Sequence, residues 1–444
     1  MLRLRRAPPA GVLLVRPAPL PLGEQRPMAA MELLVGQGDA PVDWESLGAA
    51  CVAAAGEAPR IAVDSRGLAP AASVALATGA TLRAWRFAAL RSAPVAQRVE
   101  IVADDPDDAA WGDAAATLDA VAWARTQVAE PANRLGPPEF TRRLRALREH
   151  GLGVEVLEAP ALAALGAGGL LAVGGGSPQP PRLVFLTWKG ADGPPIALVG
   201  KGLCFDTGGL SIKGAGGMEA MRADMAGAAA CAGALLALAK RRAPVHAVAV
   251  LAIAENVTGA RSYRPGDVLR MASGRTVEVV DTDAEGRLCL ADALHLAVRR
   301  RAPAALVDAA TLTGSVVMAL GHHRAGLYAS DAALATAASA AGEAVGERLW
   351  PMPVHARDVL DSPIADLKQC APAGSGAWGG RLLPDAGHAA AFLREFVGDT
   401  PWAHLDIAGM DLAEDGEGLH AKGQPTGFGV RLLAELALRY MRDR

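Results

Sequence analysis

Two short segments of the sequence hold a high density of residue types that can carry out chemistry. They read KGLCFDTGGLSIKGAGG and DTDAEGR, and each combines acidic with basic side chains. Only six of the 44 basic residues in the chain are lysine, so a lysine in such a segment indicates a need for a compact amine that can lose its proton. The residues of interest are Lys201, Asp206, Lys213, Asp283, Glu285 and Arg287.

A further acid lies in an apolar segment. Asp224 falls between Met221 and Met225 of a predicted helix over Met218–Lys240. A buried carboxylate must be paired, coordinated or hydrogen-bonded, because an isolated buried charge is very costly. Four acids brought together would also repel one another unless cations neutralise them.

These four acids predict a site for two divalent metal ions. Oxygen ligands suit Mn, Mg or Zn, and two such ions could deprotonate a water and polarise a carbonyl or phosphoryl group. A lysine beside two such ions would have a lowered pKa and could act as a neutral ligand.

The predicted elements bring these segments to one edge of a sheet. Apolar runs alternate with helical segments, which predicts an α/β domain with a largely parallel sheet covered on both faces. Ligands bind beyond the carboxyl ends of the strands in such sheets. We predict strands over Arg182–Trp188, Ile196–Gly200, Val245–Ala254, Thr276–Val280 and Ala304–Asp308, and a helix over Glu285–Arg301.

Simpler interpretations exist for each segment alone. DTDAEGR is equally consistent with an acidic turn in which Asp283 caps a helix and Glu285 occupies its first turn. The glycine pairs at 208–209 and 216–217 could be ordinary turns. A purely structural interpretation is weakest for Asp224. Taken together, the segments favour the metal site. HExxH, GxSxG and P-loop motifs are absent from the sequence.

Composition excludes several classes of protein. With 444 residues, 51% hydrophobic and 20% charged, the chain can fill a large core. The net charge of -3 gives no reason to expect a nucleic acid or an anionic membrane as partner. No stretch reaches the roughly 18 apolar residues of a membrane helix. The five cysteines lack CxxC spacing, so we expect a cytoplasmic protein without disulfides.

The predicted fold class is α/β with two domains. A smaller N-terminal α/β domain over 1–115 carries no catalytic constellation. A C-terminal α/β/α domain over 116–444, with a mainly parallel or mixed central sheet, carries all the residues above.

The motifs, in their order, resemble those of a known family. VGKGLCFDTGGLSIK, MRADMAGAAA, YRPGDVL, DTDAEGRLCLADAL, DAATLTG, DSPIADLK and WAHLDIAG are similar to the leucine aminopeptidase (cytosol aminopeptidase) family of dimetal peptidases. The resemblance runs from about residue 118 to the C-terminus, with a fainter similarity at Leu82–Phe87.

The resemblance implies specific roles. Lys213 would hydrogen-bond the developing oxyanion, and Arg287 would hold a bicarbonate that acts as general base. The substrate's free α-amino group would bind one metal, which explains action at peptide N-termini. The implied ligands of two Mn or Zn ions, with Mg or Co as alternatives, are Lys201, Asp206, Asp224, Asp283 and Glu285.

Other implications concern substrate and assembly. The positions that match the first side-chain pocket are Met221, Thr311, Leu312 and Gly314. The family acts on peptides, with leucine or other bulky apolar residues expected at the N-terminus, and assembles as a homohexamer to which the N-terminal domain contributes.

Two residues depart from the family pattern. Asp281 replaces an asparagine, which adds a charge beside the metals, and Gly214 replaces a proline after Lys213.

The alternatives to a peptide-cleaving enzyme of this family are a dimetal hydrolase of another substrate class and a non-catalytic binding or architectural paralogue.

Overall fold

The structure is a computed structural model in which two compact units are distinguished. It describes residues 3–8, 12–20, 24–29, 32–36, 42–93, 97–105, 109–354, 360–371, 385–416 and 418–442. The first unit is Met1–Ala122 with Leu412–Thr426, and the second is Trp123–Asp411 with Gly427–Arg444. A segment late in the sequence thus belongs to the first unit. The functional roles assigned to 1–115 and 116–444 stay predictions.

The first unit is built on a six-stranded sheet, counted over its described residues. Its strand order is β1-β6-β5-β2-β4-β3, and all neighbours are parallel except β3 and β4. Helices α1 and α2 pack closely, because a Cβ on Gly48 would lie 1.9 Å from the carbonyl oxygen of Leu76. The elements are β1 (Leu4–Arg5), β2 (Leu13–Ala18), β3 (Gln25–Ala29), β4 (Glu32–Gly36), α1 (Trp44–Ala54), β5 (Arg60–Asp64), α2 (Pro70–Ala84) and β6 (Arg98–Val102).

The second unit contains a mixed eight-stranded sheet, again counted over the described part of the chain. The order is β15-β14-β17-β13-β9-β10-β8-β7, with a parallel centre from β17 to β10. A separate three-stranded sheet has the order β11-β12-β16. The strands are β7 (Gly153–Glu158), β8 (Arg182–Lys189), β9 (Ile196–Asp206), β10 (His246–Asn256), β11 (Val268–Arg270), β12 (Thr276–Glu278), β13 (Ala305–Ala310), β14 (Ala325–Ala329), β15 (Leu349–Met352), β16 (Leu367–Lys368) and β17 (Trp402–Asp406).

Helices cover both faces of the main sheet. Successive strand residues point to opposite faces, and a Cβ on Gly200 would meet α7 at Ala228, whereas Lys201 lies against Gly286 of α8. This arrangement confirms the predicted α/β class. The helices are α3 (Ala109–Ala129), α4 (Pro137–Ala146), α5 (Ala159–Ala164), α6 (Gly168–Val173), α7 (Ala226–Lys240), α8 (Glu285–Arg301), α9 (Gly314–Leu320), α10 (Ala332–Ala344), α11 (Asp385–Arg394) and α12 (Val430–Arg442), with 3-10 turns at Leu147–His150, Gly174–Gly176 and Met218–Ala223.

Two predicted strands differ from the structure. The strand predicted to end at Gly200 continues to Asp206, because β10 supplies backbone partners as far as Asp206, whereas β13 pairs with β9 only as far as Gly200. The prediction that Lys201 follows the strand was therefore wrong. The strand predicted over Thr276–Val280 lies in the small sheet, where it pairs with β11 and β16.

The helix predicted over Met218–Lys240 is interrupted. A 3-10 turn ends at Ala223, and α7 begins at Ala226. Asp224 lies between the two, where a carboxylate benefits from the N-terminal end of a helix and avoids the helix interior that aspartate disfavours.

The segment Met218–Lys240 is long and apolar enough to cross a membrane by length and composition. However, 94% of its most apolar window is buried inside the structure. Such burial is typical of the core helix of a folded domain.

Close packing of α7 on the sheet predicts a large cost for one added methyl group. A Cβ on Gly227 would lie 2.0 Å from the carbonyl oxygen of Ala309, and neither backbone can move freely. We expect Gly227→Ala to lose about 1–3 kcal/mol of unfolding free energy, measured by thermal or denaturant unfolding.

The matched control is Gly112→Ala in α3, where an added Cβ meets nothing within 4 Å. It should gain up to about 1 kcal/mol, because alanine favours the helix. Equal unfolding midpoints for Gly227→Ala and the unsubstituted protein would contradict this account of the packing.

Candidate metal centre

An irregularity in β9 places two of the predicted ligands on one side of the sheet. Lys201 and Asp206 are five residues apart, which in a regular strand would point them to opposite faces. Leu203 pairs with Ala254 and Asp206 with Asn256, so β9 has one extra residue there. A bulge of this kind reverses the alternation. The negative charge of Asp206 accordingly acts on the ammonium of Lys201.

Asp224 reaches the same place from the start of α7. Its Oδ1 lies 2.8 Å from Lys201 Nζ and accepts a 2.7 Å hydrogen bond from Thr311 Oγ1. Lys201 Nζ also donates to the carbonyl oxygen of Thr311, at 2.8 Å. One lysine therefore joins the middle of β9, the start of α7 and the residue that follows β13.

Asp283 lies in the turn before α8, and Glu285 is the first residue of that helix. The backbone N–H of Asp283 donates to Asp281 Oδ1 at 2.9 Å, which fixes the turn. An asparagine could accept the same bond, so Asp281 preserves the local geometry. Ala284, not Asp283, precedes the first helical residue, and no side chain caps this helix. The alternative in which Asp283 is the cap was wrong.

Each lysine lies between two acids. Lys201 Nζ is 3.0 Å from Glu285 Oε1 in addition to its contact with Asp224. Lys213 Nζ is 2.8 Å from Asp206 Oδ2 and is also hydrogen-bonded to Asp283. Four carboxylates thus surround two ammonium groups, and when all are ionised the acids are in excess by two charges.

Burial and mutual repulsion change the acidity of these groups. Burial, followed by repulsion from Asp206, raises the pKa of Glu285 well above its ordinary range. Burial also raises the pKa of Asp224 and of Asp283. Burial alone would lower the pKa of Lys201, but the attraction of Asp224 and Glu285 outweighs it and raises that pKa.

The donor set fits divalent cations. One oxygen from each of Asp206, Asp283 and Glu285 lies within 4.8 Å of the others. Asp224 Oδ2 and Glu285 Oε2 are buried without a hydrogen-bond partner among the described residues. Unpaired buried carboxylate oxygens, excess negative charge and oxygen donors are what Mn, Mg or Zn ions require.

Residues that sequence reasoning missed hold the ligands in place. Asn256, the last residue of β10, donates from Nδ2 to Asp206 Oδ1 at 2.7 Å and to the Thr282 carbonyl at 2.9 Å. The Tyr263 hydroxyl donates to the same carbonyl at 2.8 Å. Asn256 is the first residue of a sequence that matches a glycosylation sequon. Its position at the carboxyl end of β10, the strand beside β9, was the signal that could have identified it as a site residue.

A cavity of about 140 Å³ adjoins this cluster. Arg287 lies on its wall, where Nη2 donates to Asp385 Oδ1 at 3.0 Å and Nη1 donates to the Gln369 carbonyl at 3.3 Å. The lining includes Lys213, Asp283, Arg287, Leu312, Gly314 and Asp385.

Comparison with known proteins shows the family to which the chain belongs. The sequence model described as the cytosol aminopeptidase family, catalytic domain, matches residues 122–434. The chain belongs to the cytosol aminopeptidase family. The probable cytosol aminopeptidase of Brucella ovis is 42% identical over 412 residues, covering 89% of this chain and 81% of that relative. That of Methylorubrum populi is 42% identical over 438 residues, covering 95% and 86% respectively.

A solved structure supports the same relationship. The bottromycin maturation enzyme BotP in complex with Mn has a TM-score of 0.86 at 36% identity, covering 97% of this chain and 100% of that one. Membership of the cytosol aminopeptidase family confirms the predicted enzyme class, a metal-dependent hydrolase that acts at peptide N-termini. Use of divalent metal follows from the family and from its Mn-bound neighbour.

The structure brings together most, but not all, of the predicted site residues. The five implied ligands and Lys213 form one cluster, and Arg287, Leu312 and Gly314 line the adjoining cavity. Thr311 contacts the cluster through its hydroxyl and carbonyl. Met221 is half-buried in the turn before Asp224 and, among the described residues, does not line this cavity. Its role in substrate binding stays a prediction.

We expect metal binding to release protons and to strengthen as pH rises through neutrality. The raised pKa of Glu285 and of Asp224 means that these acids retain protons at mildly acidic pH, and a metal ion must displace them. Calorimetric titration of chelator-stripped protein with Mn²⁺, in two buffers of different ionisation enthalpy, counts the protons released. An affinity independent of pH, with no proton release, would contradict these ligands.

Proposed function

We propose that this member of the cytosol aminopeptidase family removes leucine or another bulky apolar residue from the N-terminus of peptides in the cytoplasm. The observation that carries the proposal is the convergence of three buried acids, the half-buried Asp283 and two lysines beside a cavity lined by Arg287. Residues 116–444 form the catalytic domain in this proposal. Residues 1–115 serve assembly into a homohexamer and have no catalytic role.

The acids and one lysine have the role of ligands. Two divalent ions, Mn or Zn, would supply Lewis acidity toward the scissile carbonyl and lower the pKa of the attacking water. Asp206, Asp283 and Glu285 would hold one ion, since their oxygens lie closest together. Asp224 and Lys201 would hold the second ion. Glu285 would be shared, because its Oε1 contacts Lys201 and one of its oxygens lies near those of Asp206 and Asp283.

The acidic cluster also accounts for action at the N-terminus only. A free α-amino group that has lost its proton has a lone pair that can bind a metal ion, whereas the lone pair of an internal peptide nitrogen is delocalised into the carbonyl. The terminal amine of the substrate would therefore bind one of the two ions held by the acids. An N-acetylated peptide lacks that amine and would bind poorly.

Lys213 is the proposed hydrogen-bond donor to the developing oxyanion. Its Nζ lies beside Asp206 and Asp283 on the cavity wall, so an ammonium donor faces the space where a scissile carbonyl would lie. Attraction to Asp206 and its neighbours raises the pKa of Lys213 despite partial burial, which keeps the donor charged. A charged donor in a partly dry site favours the transition state over the neutral carbonyl.

Leu312 and Gly314 line the same cavity and are the proposed contacts for the substrate's first side chain. Thr311 and Met221 complete the set expected from the family. A bicarbonate on Arg287 would lie beside the Asp385 carboxylate, which already accepts from Nη2, and the two adjacent anions would repel each other.

The decisive test is hydrolysis of leucine p-nitroanilide. Protein stripped with chelator should be inactive and should regain activity with Mn²⁺ or Zn²⁺. The N-acetylated substrate should not be cleaved under the same conditions. Equal cleavage of the acetylated substrate would indicate a dimetal hydrolase of another class, and metal binding without any cleavage would indicate a non-catalytic paralogue.

Lys213→Met should separate catalysis from metal binding. Loss of the oxyanion donor should lower kcat by about 100-fold or more, while Mn²⁺ affinity is retained or increases because a competing ammonium is gone. The matched control is Lys189→Met, since Lys189 is exposed and pairs with Asp192. Unchanged kcat in Lys213→Met would remove Lys213 from the mechanism.

A further inference from the structure

Arg287 already holds a carboxylate of its own chain. Its side chain is buried, Nη2 donates to Asp385 Oδ1 at 3.0 Å, and Nη1 donates to the Gln369 carbonyl at 3.3 Å. Only Nε is left without a partner among the described residues. A bicarbonate on the three N–H groups that remain would lie beside the Asp385 carboxylate, and the repulsion between the two anions disfavours it.

Asp385 is positioned to reach the reacting groups. It is the first residue of α11, and the next residue is held to α9 by the 3.0 Å bond from Ala386 N–H to Ser315 Oγ. Its side chain is 28% exposed and lines the same cavity as Lys213 and Asp283. Within the described residues it pairs through Oδ1, so Oδ2 is available to another donor.

A carboxylate and a bicarbonate can bind an arginine side chain in the same way. Both present two oxygens on a planar carbon with one negative charge, and both bind guanidinium side by side. Arg287 cannot accept a proton itself, but its hydrogen bond orients the neighbouring carboxylate. A carboxylate so held can accept a proton from water and return it.

We propose that Asp385 is the general base of this enzyme and takes the place of bicarbonate, an inference that rests on the aminopeptidase activity proposed above. As water attacks the scissile carbonyl carbon, a C–O bond forms and one water proton passes to the Asp385 carboxylate. The C–N bond then breaks, and that proton passes to the leaving amine. The carboxylate is regenerated, and no other co-reactant is consumed.

The kinetic test compares bicarbonate dependence in carbonate-free buffers, with Mn-loaded enzyme and leucine p-nitroanilide. The unsubstituted enzyme should change less than about twofold on addition of bicarbonate. Asp385→Ala should lose about 100-fold or more in kcat with little change in KM, and added bicarbonate should restore part of the loss. Asp385→Asn keeps an acceptor for Arg287 but cannot take a proton, so it should be slow and resist rescue.

The control is Glu395→Gln, just beyond the other end of α11, where Glu395 pairs with Arg275 at 2.7 Å away from the cavity. It should retain full activity. Unfolding midpoints and Mn²⁺ affinity, measured for each variant, exclude misfolding as the cause of lost activity. Strong bicarbonate stimulation of the unsubstituted enzyme, or an Asp385→Ala variant as active as it, would overturn the proposal.

A binding measurement needs no catalysis. Titration of metal-free protein with ¹³C-labelled bicarbonate, followed by NMR line broadening, should show saturable binding to Asp385→Ala but not to the unsubstituted protein. Equal binding to both would overturn the proposal even if both were active. An unsubstituted enzyme inactive with every metal would overturn the aminopeptidase proposal and the catalytic role of Asp385 together, whereas an active enzyme unaffected by Asp385→Ala would overturn the latter alone.

Discussion

Four carboxylates close to one another, three of them buried and Asp283 half-buried, are the constraint on which the rest of this site depends. Burying an ionised carboxylate is unfavourable unless opposite charge lies beside it. The fold therefore places one lysine on the central strand and a second on the loop after it, each between two acids. The lysines offset only half of the negative charge. The remaining charge would destabilise the metal-free site and creates a strong preference for divalent cations there.

Small residues make it possible for a lysine to cross the core of the sheet. Lys201 lies on the central strand β9, and its chain passes α8 only because Gly286 has no side chain, since a Cβ there would lie 2.7 Å from Lys201 Cε. On the opposite face, Gly200 lets α7 approach to within contact of the strand. An interior of alanine and glycine, with few aromatic residues, therefore follows from the need to bring backbones together around one charged side chain.

Much of this could be predicted from the sequence, because ligand-type residues and strand–helix alternation are local signals. DTDAEGR before a helix and the α/β class are of this kind. The bulge that turns Asp206 to the side of Lys201 depends on pairing with β10, which no local pattern reveals. The break in the helix at Asp224 is likewise set by its tertiary partner Lys201. Asp385 was not identified because its partner Arg287 is 98 residues away in the sequence.

A separate buried polar network on β13 and β17 holds the cavity-lining residues Leu312 and Thr313. Asp308 accepts from Trp402 Nε1 at 2.7 Å and is 2.6 Å from His404 Nδ1, and its attraction raises the pKa of His404 despite burial. Asp406, two residues after His404 on β17, accepts from Thr313 Oγ1 at 2.6 Å and from Leu312 N–H at 3.1 Å. This network and the acidic cluster meet at Thr311, whose carbonyl and hydroxyl contact Lys201 and Asp224. Because Leu312 follows directly, one continuous stretch of backbone positions the proposed substrate contact Leu312 and contacts the two proposed ligands Lys201 and Asp224. A change that shifts β17 should therefore disturb both together.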